Sequence, residues 1–499
     1  MKIEKLPLNN LFVVLASGLL CGLLASLLPI LSFVFIIPFI ALIYSEKSAR
    51  LKMYFWGVFW YFGTIWWMAI VNLQGMQPLI FFATIGLSFF LALRFLLVGI
   101  LSKFVFKRYP KIAFVFIPSV WVVGEYVLSL GELSFPWMFT GYSLSPLFYL
   151  SQIVSITGIW GLSFLAVIGA VILYELVFLK QGKKTAVIFA CVVAVICIWG
   201  FFRVRPIDTH EIKAIVLQPN ADMEDWHGFS SLMESMHVLD SLLDVGADKE
   251  RGILILPESA IFTHLRYQPS SLVAVGSWLK RHNSHMIFGS LTSIVSDTGI
   301  SGVYNTAYWA NPDLSNVYDN YERYHKIKLV PFVETTPFSE ALPMISRLDL
   351  RGGSFSAGSD YAVWETEDLR IAPFICYENV YPAFTRKRVN RGADLMVNIT
   401  NDAWFGRTTA PIQHAEMTRV RAIELGVSMV RCANSGISFS ADPFGRFLSK
   451  TEIYTREIIQ MPIAKALNNT IYRQLGDWFA ILCAVFSFFW IILPIVRRK

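Results

Sequence analysis

Long apolar segments constrain the fold of this chain more than any other feature. A helix needs roughly 20 apolar residues to cross a bilayer core of about 30 Å, and segments near this length recur along the sequence. They lie at residues 11–28, 29–44, 54–71, 79–101, 112–130, 160–179, 185–202 and 478–496. The second segment is short, and the 55% apolar content of the chain exceeds what a soluble domain usually needs. The sequence therefore predicts a polytopic α-helical membrane bundle with eight transmembrane helices.

The positive charges of the chain follow a topology pattern. Lys and Arg cluster at residues 2–5, 47–52, 103–111, 180–184 and 497–499, whereas the loops at 72–78 and 131–158 contain neither. Positively charged loops stay in the cytoplasm, so both termini are predicted inside and residues 203–476 outside. The net charge of +7 is assigned to topology because these residues form no basic stripe with interleaved aromatic residues. We therefore expect a membrane-embedded protein without a nucleic-acid partner.

A long polar block separates the seventh and eighth apolar segments. Short β-rich strings at 212–219, 253–257, 286–290, 304–310, 371–376, 395–400 and 428–432 alternate with amphipathic stretches at 232–245, 270–283 and 410–425. Such alternation predicts an α/β domain in which strands are sandwiched under helices. We expect three parts: a membrane domain at 1–203 with seven transmembrane helices, an exported domain at 204–475, and the eighth transmembrane helix with a cytoplasmic tail at 476–499.

Three short strings in the exported block supply the groups for acyl transfer through a thioester. The string LPES at 256–259 carries Glu258, YHKIKLVPF at 324–332 carries Lys326, and ICYE at 375–378 carries Cys376. Glu258 and Cys376 lie at the ends of predicted strands, where side chains of α/β folds emerge into a crevice. A carboxylate, an ammonium group and a thiol in such positions predict an active site.

The chemistry of a thiol explains why the other two groups are needed. A free thiol with a pKa of about 8.5 supplies little thiolate at neutral pH, so it needs a base, a nearby cation or a helix N-terminus. Glu258 is the candidate base, Lys326 and the backbone N–H of Tyr377 are candidate donors to an oxyanion, and the helix predicted after Cys376 would add its dipole. A thioester visited by two substrates in turn predicts ping-pong kinetics.

Each of these residues also has a simpler interpretation. Cys376 is a candidate for a disulfide with Cys432, the other cysteine of the exported block, or for an ordinary core position. Glu258 is a candidate for a helix N-terminal acid, and Lys328 competes with Lys326 because alternation sends both to one side of an extended segment. The sequence contains no CxxC, HExxH or EF-hand pattern, so we expect no metal or other cofactor.

Taken together, the strings resemble the Glu-Lys-Cys triad of the nitrilase, or carbon-nitrogen hydrolase, superfamily. With the apolar segments, the string TNDAWFG at 400–406 and the Phe135-Pro136-Trp137 loop, the whole chain resembles the bacterial apolipoprotein N-acyltransferase family. The resemblance implies a nitrilase-like αββα sandwich at 204–475 in the periplasm. It also implies roles for individual positions: nucleophile Cys376, base Glu258, catalytic lysine Lys326, supporting glutamates Glu334 and Glu378, motif asparagine Asn305, and aromatic pocket or lid residues Trp226, Tyr377 and Trp404. Val333 stands where the family usually has Gly, so a positive φ there would strain the turn.

The resemblance further implies what the enzyme does. It would take an acyl chain from a phospholipid and place it on the α-amine of the diacylglyceryl-cysteine of an apolipoprotein, as a monomer in the bacterial inner membrane. Two rival hypotheses remain: a membrane-tethered nitrilase-type amidase that uses water as the acceptor, and a transporter or receptor whose outer domain only binds a ligand.

Three ionisable residues lie inside the predicted spans, where a charge usually faces a cavity or a partner. They are Arg94, Glu125 and Glu175. An Arg94–Glu125 pair within the bundle and a contact with a lipid headgroup are both open explanations.

Overall fold

The computed structural model describes residues 10–45, 50–71, 77–221, 237, 240–241, 252–264, 276–277, 280, 285–296, 299–310, 321–337, 355–366, 368–467 and 469–496. The chain divides into two compact units. A membrane unit comprises Met1–Arg205, Arg407–Thr409 and Gln474–Lys499, and a catalytic unit comprises Pro206–Gly406 and Ala410–Arg473. Trp226 and most of the amphipathic stretches at 232–245 and 270–283 lie outside the described residues.

The membrane unit is helical. Its α-helices are Leu11–Leu27, Ser32–Phe35, Ile37–Tyr44, Arg50–Thr64, Gln77–Phe106, Ala113–Val127, Phe148–Ser151, Val154–Thr157, Ile159–Phe178, Lys183–Arg203 and Trp478–Val496, with 3-10 turns at Pro29–Leu31, Trp66–Ile70, Pro110–Ile112 and Thr140–Ser143. Within the described part of the chain, four helical segments are long and apolar enough to cross a bilayer: Gln77–Phe106, Pro110–Val127, Ile159–Phe178 and Lys183–Arg203. Shorter apolar helices occupy Leu11–Leu27, Pro29–Tyr44, Phe148–Thr157 and Trp478–Pro494. The count of eight spans therefore stays a prediction.

The short second apolar segment has a local cause. Pro29 starts a 3-10 turn and Pro38 lies in the first turn of the Ile37–Tyr44 helix. Proline lacks an N–H and cannot continue the hydrogen bonds of a preceding helix. The segment is consequently divided into a 3-10 turn and two short helices instead of forming one long helix.

A buried ion pair joins two helices of the membrane unit. Arg94 Nη1 lies 3.1 Å from Glu125 Oε1, and this oxygen also accepts from Trp121 Nε1 at 3.0 Å. The N–H and hydroxyl of Thr140 donate to the same atom at 2.8 and 2.7 Å. Glu175 accepts instead from the Tyr44 hydroxyl at 2.8 Å. The Arg94–Glu125 pair, one of the two explanations that the sequence left open, is present, and the 3-10 turn Thr140–Ser143 is attached to it.

The catalytic unit contains two β-sheets. Their strands are β1 Lys213–Gln218, β2 Gly252–Ile255, β3 Ile261–His264, β4 His285–Ser296, β5 Gly299–Ala310, β6 Tyr321–His325, β7 Trp364–Glu365, β8 Arg370–Ile375, β9 Leu395–Thr400, β10 Ser428–Ala433, β11 Phe439–Ala441, β12 Phe447–Lys450 and β13 Glu457–Met461. The first sheet has the order β13-β1-β2-β4-β5-β6 with β3 on β4, and the second has the order β12-β11-β10-β9-β8-β7. Strands β1, β2 and β4 pair in parallel, as do β8, β9 and β10.

The two sheets share one hydrophobic core. Val216 and Ile255 of the first sheet are fully buried in the same cluster as Val397 and Val430 of the second. Sheets that pack face to face through such residues form a sandwich. Further α-helices of this unit lie at Pro382–Val389 and Ala410–Leu425, and the short helix Ile471–Leu475 begins in it. Ala410–Leu425 has the bounds expected from its amphipathic pattern. The predicted α/β sandwich is confirmed.

Candidate active site

Glu258 lies in the turn that follows β2, with both carboxylate oxygens in use. It is 5% exposed, and its Oε1 accepts from Asn305 Nδ2 at 2.7 Å and from Lys326 Nζ at 3.4 Å. Its Oε2 accepts from the backbone N–H of Asn401 at 2.9 Å. Gly289 of β4 permits this turn, because a Cβ at Gly289 would come within 2.7 Å of the Glu258 Cα. The carboxylate is thus held in one orientation by three donors.

Lys326 follows β6 and is 1% exposed. Its Nζ lies 2.8 Å from Glu334 Oε1 and 3.4 Å from Glu258 Oε1. Burial by itself lowers the pKa of Lys326, but the charges of Glu334 and Glu258 more than offset it and hold the pKa above its ordinary value. The side chain is therefore an ammonium group at neutral pH.

The structure also separates Lys326 from its sequence rival. Lys328 is partly exposed, and its Nζ lies 5.4 Å from the centroid of the Tyr381 ring. The segment after β6 is no longer a regular strand, so two-residue alternation does not send both lysines to the same place. Of the two, Lys326 is the one in ion pairs with Glu258 and Glu334.

Glu334 is held by a tight turn next to Lys326. Its Oε2 accepts from the backbone N–H of Val330 at 2.9 Å. The left-handed residue in this turn is Phe332, with φ of 62°, and Val333 does not have a positive φ. The strain considered for Val333 is absent because the turn places its positive φ one residue earlier.

Cys376 follows β8 with a φ of 51°. This left-handed conformation costs a non-glycine residue of order 1 kcal/mol or more, and the Asn398 side chain anchors it by donating from Nδ2 to the Cys376 carbonyl at 3.2 Å. Burial raises the pKa of the thiol, the charge of Glu258 raises it further, and Lys326 acts in the opposite direction. The resting thiol is therefore protonated, and a base would have to take its proton before the sulfur could act as a nucleophile.

The helix expected after Cys376 is split in two. Cys376–Val380 is a 3-10 helix, Tyr381 has an extended backbone, and an α-helix begins at Pro382. The α-helix therefore starts six residues after Cys376 and not directly behind it, because Pro382 cannot donate a backbone hydrogen bond to the turn before it. A single short turn contributes little dipole, so stabilisation of anionic charge falls mainly on Lys326.

Glu378 links β8, the strand before Cys376, to the segment that follows Lys326. Its Oε2 accepts from the backbone N–H of Ile375 at 2.8 Å. Its Oε1 accepts from the N–H groups of Ile327 and Lys328 at 2.8 and 3.1 Å, and from the Tyr324 hydroxyl at 2.5 Å. This fully buried carboxylate therefore fixes the backbone on both sides of the site.

A second buried network lies behind Cys376 and was not recognised in the sequence. Arg431 donates from Nη2 to Asp402 Oδ2 at 2.7 Å and from Nη1 to Asn398 Oδ1 at 2.6 Å. His414 Nδ1 lies 3.1 Å from Asp402 Oδ1. The sequence did place Asn398 and Arg431 on two consecutive predicted strands. That these two residues lie opposite each other follows only from the register of the sheet.

The remaining predicted residues occupy different surroundings. Asn305 on β5 is 3% exposed and donates from Nδ2 to both Glu258 and Glu334, at 2.7 and 3.4 Å. Tyr377 is 6% exposed, with its ring 5.3 Å from that of Tyr381. Trp404 lies partly exposed in the 3-10 turn Asp402–Phe405. The predicted residue Trp226 is outside the described part of the chain.

The structure also decides the disulfide alternative. Cys376 and Cys432 are both free thiols. Cys432 is buried, and its Sγ contacts the carbonyl oxygens of Leu217 and Ile255 at 3.2 and 3.3 Å. Among the described residues, no group of three or more His, Cys, Asp or Glu side chains is placed to hold a metal ion. The arrangement is thus a free thiol under the joint influence of a carboxylate and an ammonium group.

Comparison with known proteins identifies the relatives of this chain. The family model for carbon-nitrogen hydrolase matches residues 214–471, and the model for the apolipoprotein N-acyltransferase N-terminal domain matches residues 17–172. An apolipoprotein N-acyltransferase of Geobacter metallireducens is 31% identical over 375 residues, covering 73% of this chain and 71% of that protein. The one of Rickettsia typhi is 30% identical over 447 residues, covering 86% and 84%.

A solved amidase structure from a Nesterenkonia species matches with a TM-score of 0.38 and 15% identity, covering 56% of this chain and 98% of that chain. The two family models and the two relatives cover both units of the chain. The chain belongs to the apolipoprotein N-acyltransferase family, and its catalytic unit is a carbon-nitrogen hydrolase domain.

Proposed function

We propose that this enzyme transfers a fatty acyl chain from a membrane phospholipid, through a thioester on Cys376, to the N-terminal α-amine of the diacylglyceryl-cysteine of an apolipoprotein. Family membership supports the overall reaction. One observation carries the assignment of residues: the ammonium of Lys326 is buried between Glu258 and Glu334, and both Lys326 and Glu258 act on the pKa of Cys376, Glu258 raising it and Lys326 lowering it. A free thiol beside a base and a fixed cation is suited to acyl transfer.

The first half-reaction forms the thioester. The Cys376 sulfur attacks the ester carbonyl carbon of the phospholipid while Glu258 takes the thiol proton, because the raised pKa keeps the thiol neutral at rest. The ammonium of Lys326 and the backbone N–H of Tyr377 stabilise the oxyanion. A donor of this kind contributes on the order of 3 kcal/mol to the transition state. The bond from the carbonyl carbon to the ester oxygen then breaks, and Glu258 returns its proton to the departing lysophospholipid.

The second half-reaction uses the same groups. The α-amine of the apolipoprotein attacks the thioester carbonyl, Glu258 takes a proton from the amine, and Lys326 again stabilises the oxyanion. The bond to sulfur breaks, and the thiolate recovers its proton from Glu258. Because an amide is more stable than a thioester, the equilibrium of this step lies on the side of the amide product. The two substrates use one site in turn, which is ping-pong kinetics.

The membrane setting follows from charge and hydropathy. Eight spans with both termini cytoplasmic put residues 204–475 in the periplasm, at the outer leaflet of the inner membrane, by the positive-inside rule. Both substrates are lipid-anchored, so a monomeric enzyme at this surface meets them by lateral diffusion. Asn305, Glu334 and Glu378 support the catalytic groups, and Trp226 and Trp404 line the substrate site in this proposal.

Trapping of the acyl intermediate tests the proposal. The enzyme purified in detergent is incubated with phospholipid alone, and the peptide containing Cys376 is examined by mass spectrometry. We expect the mass of one fatty acyl group on Cys376 and none in Cys376→Ala. A diacylated lipopeptide with a free α-amine should discharge this adduct, whereas the same lipopeptide with an acetylated amine should not.

Two results would contradict the proposal. Transfer that proceeds at the normal rate without an adduct on Cys376 would refute the thioester. Discharge of the adduct at the same rate by water, with or without the lipopeptide, would instead indicate a tethered amidase.

A further inference from the structure

Arg388 is a buried cation that has no anion in contact with it among the described residues. It lies in the Pro382–Val389 helix and is completely buried. Its Nη2 donates to the Ala362 carbonyl at 2.9 Å, and its Nε and Nη1 have no hydrogen-bond partner in the described chain. Placing a guanidinium group away from water is costly unless another group compensates the charge. The group that compensates the charge of Arg388 is therefore expected to act on it without touching it.

Aromatic rings provide the immediate surroundings of this cation. The guanidinium carbon lies 3.8 Å from the centroid of the Tyr324 ring and 4.6 Å from that of Phe374. Such cation–π contacts are favourable, most of all when the groups are desolvated. The closest of these rings belongs to Tyr324, a β6 residue that is also fully buried.

The hydroxyl of the same tyrosine binds Glu378, a carboxylate that no cation contacts in the part of the chain that the structure describes. Tyr324 donates to Glu378 Oε1 at 2.5 Å, and the other donors to Glu378 are the backbone N–H groups of Ile375, Ile327 and Lys328. All four donors are neutral. Among the described residues, Arg388 thus has no anion and Glu378 no cation in direct contact. Both contact Tyr324: Arg388 lies over the face of its ring, and Glu378 accepts from its hydroxyl.

We propose that Arg388 is a positioning residue, which acts through the Tyr324 ring to keep Glu378 ionised and thereby holds the Lys326 loop against the Cys376 strand. This inference rests on the proposed function of Lys326 and Cys376. An ionised carboxylate accepts from all four donors at once. A protonated one presents an O–H that conflicts with them, so the backbone around Ile327 and Ile375 would lose its common anchor.

The electrostatics of Glu378 agree with this geometry. Burial raises the pKa of Glu378, and Arg388 is the strongest charge that opposes the increase. Other charged groups near the Cys376–Val380 turn have partners of their own: Lys326 pairs with Glu334 and Glu258, Arg421 pairs with Glu424 at 2.8 Å, and Asp402 pairs with Arg431 at 2.7 Å. Lys328 directs its Nζ to the Tyr381 ring. Removing the charge of Arg388 therefore leaves the effect of burial on Glu378 less opposed.

The pH dependence of acyl transfer tests the inference. The rate of transfer to a diacylated lipopeptide is measured from pH 5.5 to 9.5 for the wild type, Arg388→Met and Arg388→Lys. We expect Arg388→Met to move the acid limb of the profile upward by about one pH unit or more, the usual effect of a lost opposite charge. Its activity should recover at alkaline pH, where Glu378 is ionised again. Arg388→Lys keeps a cation and should keep the wild-type limb.

A double variant identifies the titrating group. In Arg388→Met combined with Glu378→Gln, position 378 cannot titrate, so the upward shift should disappear. If the shift persists, it belongs to another group and the inference is wrong. The inference is also wrong if Arg388→Met loses activity equally at every pH, or if Arg388→Lys shifts the limb as far as Arg388→Met.

Two further measurements keep the test decisive. If Arg388→Met does not fold, Tyr324→Phe retains the ring but removes one donor to Glu378, and a smaller shift in the same direction is expected; no shift would contradict the inference. Alkylation of Cys376 by iodoacetamide over the same pH range does not require acyl transfer. If the wild type fails to transfer an acyl chain while Arg388→Met still shifts the pH dependence of Cys376 alkylation, that result would refute the proposed function and support the link between Arg388 and Glu378.

Discussion

Replacing Lys326 with Met removes the cation that contacts both Glu258 and Glu334 in the proposed site. The ammonium lies 2.8 Å from one carboxylate and 3.4 Å from the other. At an effective dielectric constant of about 20, each pair attracts by roughly 5–6 kcal/mol, most of which offsets the desolvation of three buried charges. Methionine has a similar length, so the substitution changes charge and leaves the packing nearly intact.

The loss of this cation affects the reaction in two ways. Two carboxylates that share the Asn305 amide as a donor repel each other once no cation lies between them, so Glu258 is no longer held in the orientation of a base. The loss of general-base catalysis costs about 10²–10⁴-fold in rate. The missing oxyanion donor costs about 10²–10³-fold more. We expect acyl transfer to fall by at least about 10⁴-fold in total, on the basis of these two effects.

The matched control is Lys328→Met, two residues away. Lys328 is partly exposed and directs its Nζ to the Tyr381 ring, so its substitution should change the rate by less than about tenfold, as for other surface charges. Transfer from a labelled phospholipid to a diacylated lipopeptide is measured for both variants at equal amounts of folded protein. Transfer by Lys326→Met within 100-fold of the wild type, or an equal loss in Lys328→Met, would refute the reasoning.

Three further predictions follow from the same contacts. Glu334 is the charge that most raises the pKa of Lys326, so Glu334→Gln should lower that pKa and move the alkaline limb of the pH–activity profile to lower pH; an unmoved limb would contradict this. Burial alone raises the pKa of Asp402, but Arg431 and His414 hold it below its ordinary value, so this carboxylate stabilises the fold above about pH 4 and less as the pH falls further. Asp402→Asn should therefore reduce the free energy of unfolding by about 3 kcal/mol at pH 7 and make that free energy decline less steeply in acid. Thermal unfolding in detergent at pH 3 to 7 measures both effects, and an unchanged Tm at pH 7 would argue against the buried pair. Cys432→Ala should retain acyl transfer with or without reductant, because Cys432 is a free thiol; a dependence on this cysteine would revive the disulfide interpretation.

Some expectations from hydropathy and periodicity were met and others were not. The amphipathic stretch 410–425 forms a helix with those bounds, and each string proposed as a strand overlaps one, although β4 and β5 extend well beyond their strings. The sequence did not predict the strands Ile261–His264, Tyr321–His325, Trp364–Glu365, Phe439–Ala441, Phe447–Lys450 and Glu457–Met461. These strands are short or lie at or near the edges of the sheets, where partners distant in sequence stabilise strands that lack a strong pattern of their own.

The sequence by itself determined the types of chemical group and their approximate positions. Glu258 and Cys376 follow apolar runs that form β2 and β8, and a strand that must bury its side chains leaves the next polar residue at its end. The long apolar segments likewise determined that the chain belongs in a membrane, because no compact soluble core accommodates so many of them.

Only the tertiary structure decided which groups meet. It selected Lys326 over Lys328, placed Glu334 and Asn305 against the lysine and the glutamate, and joined Arg388 to Glu378 through Tyr324. Most of these contacts connect residues on different strands, helices and turns, so they depend on the register and packing of the sheets. Local sequence patterns carry the periodicity of one element at a time, and that periodicity does not specify which side chain of another element will lie opposite it.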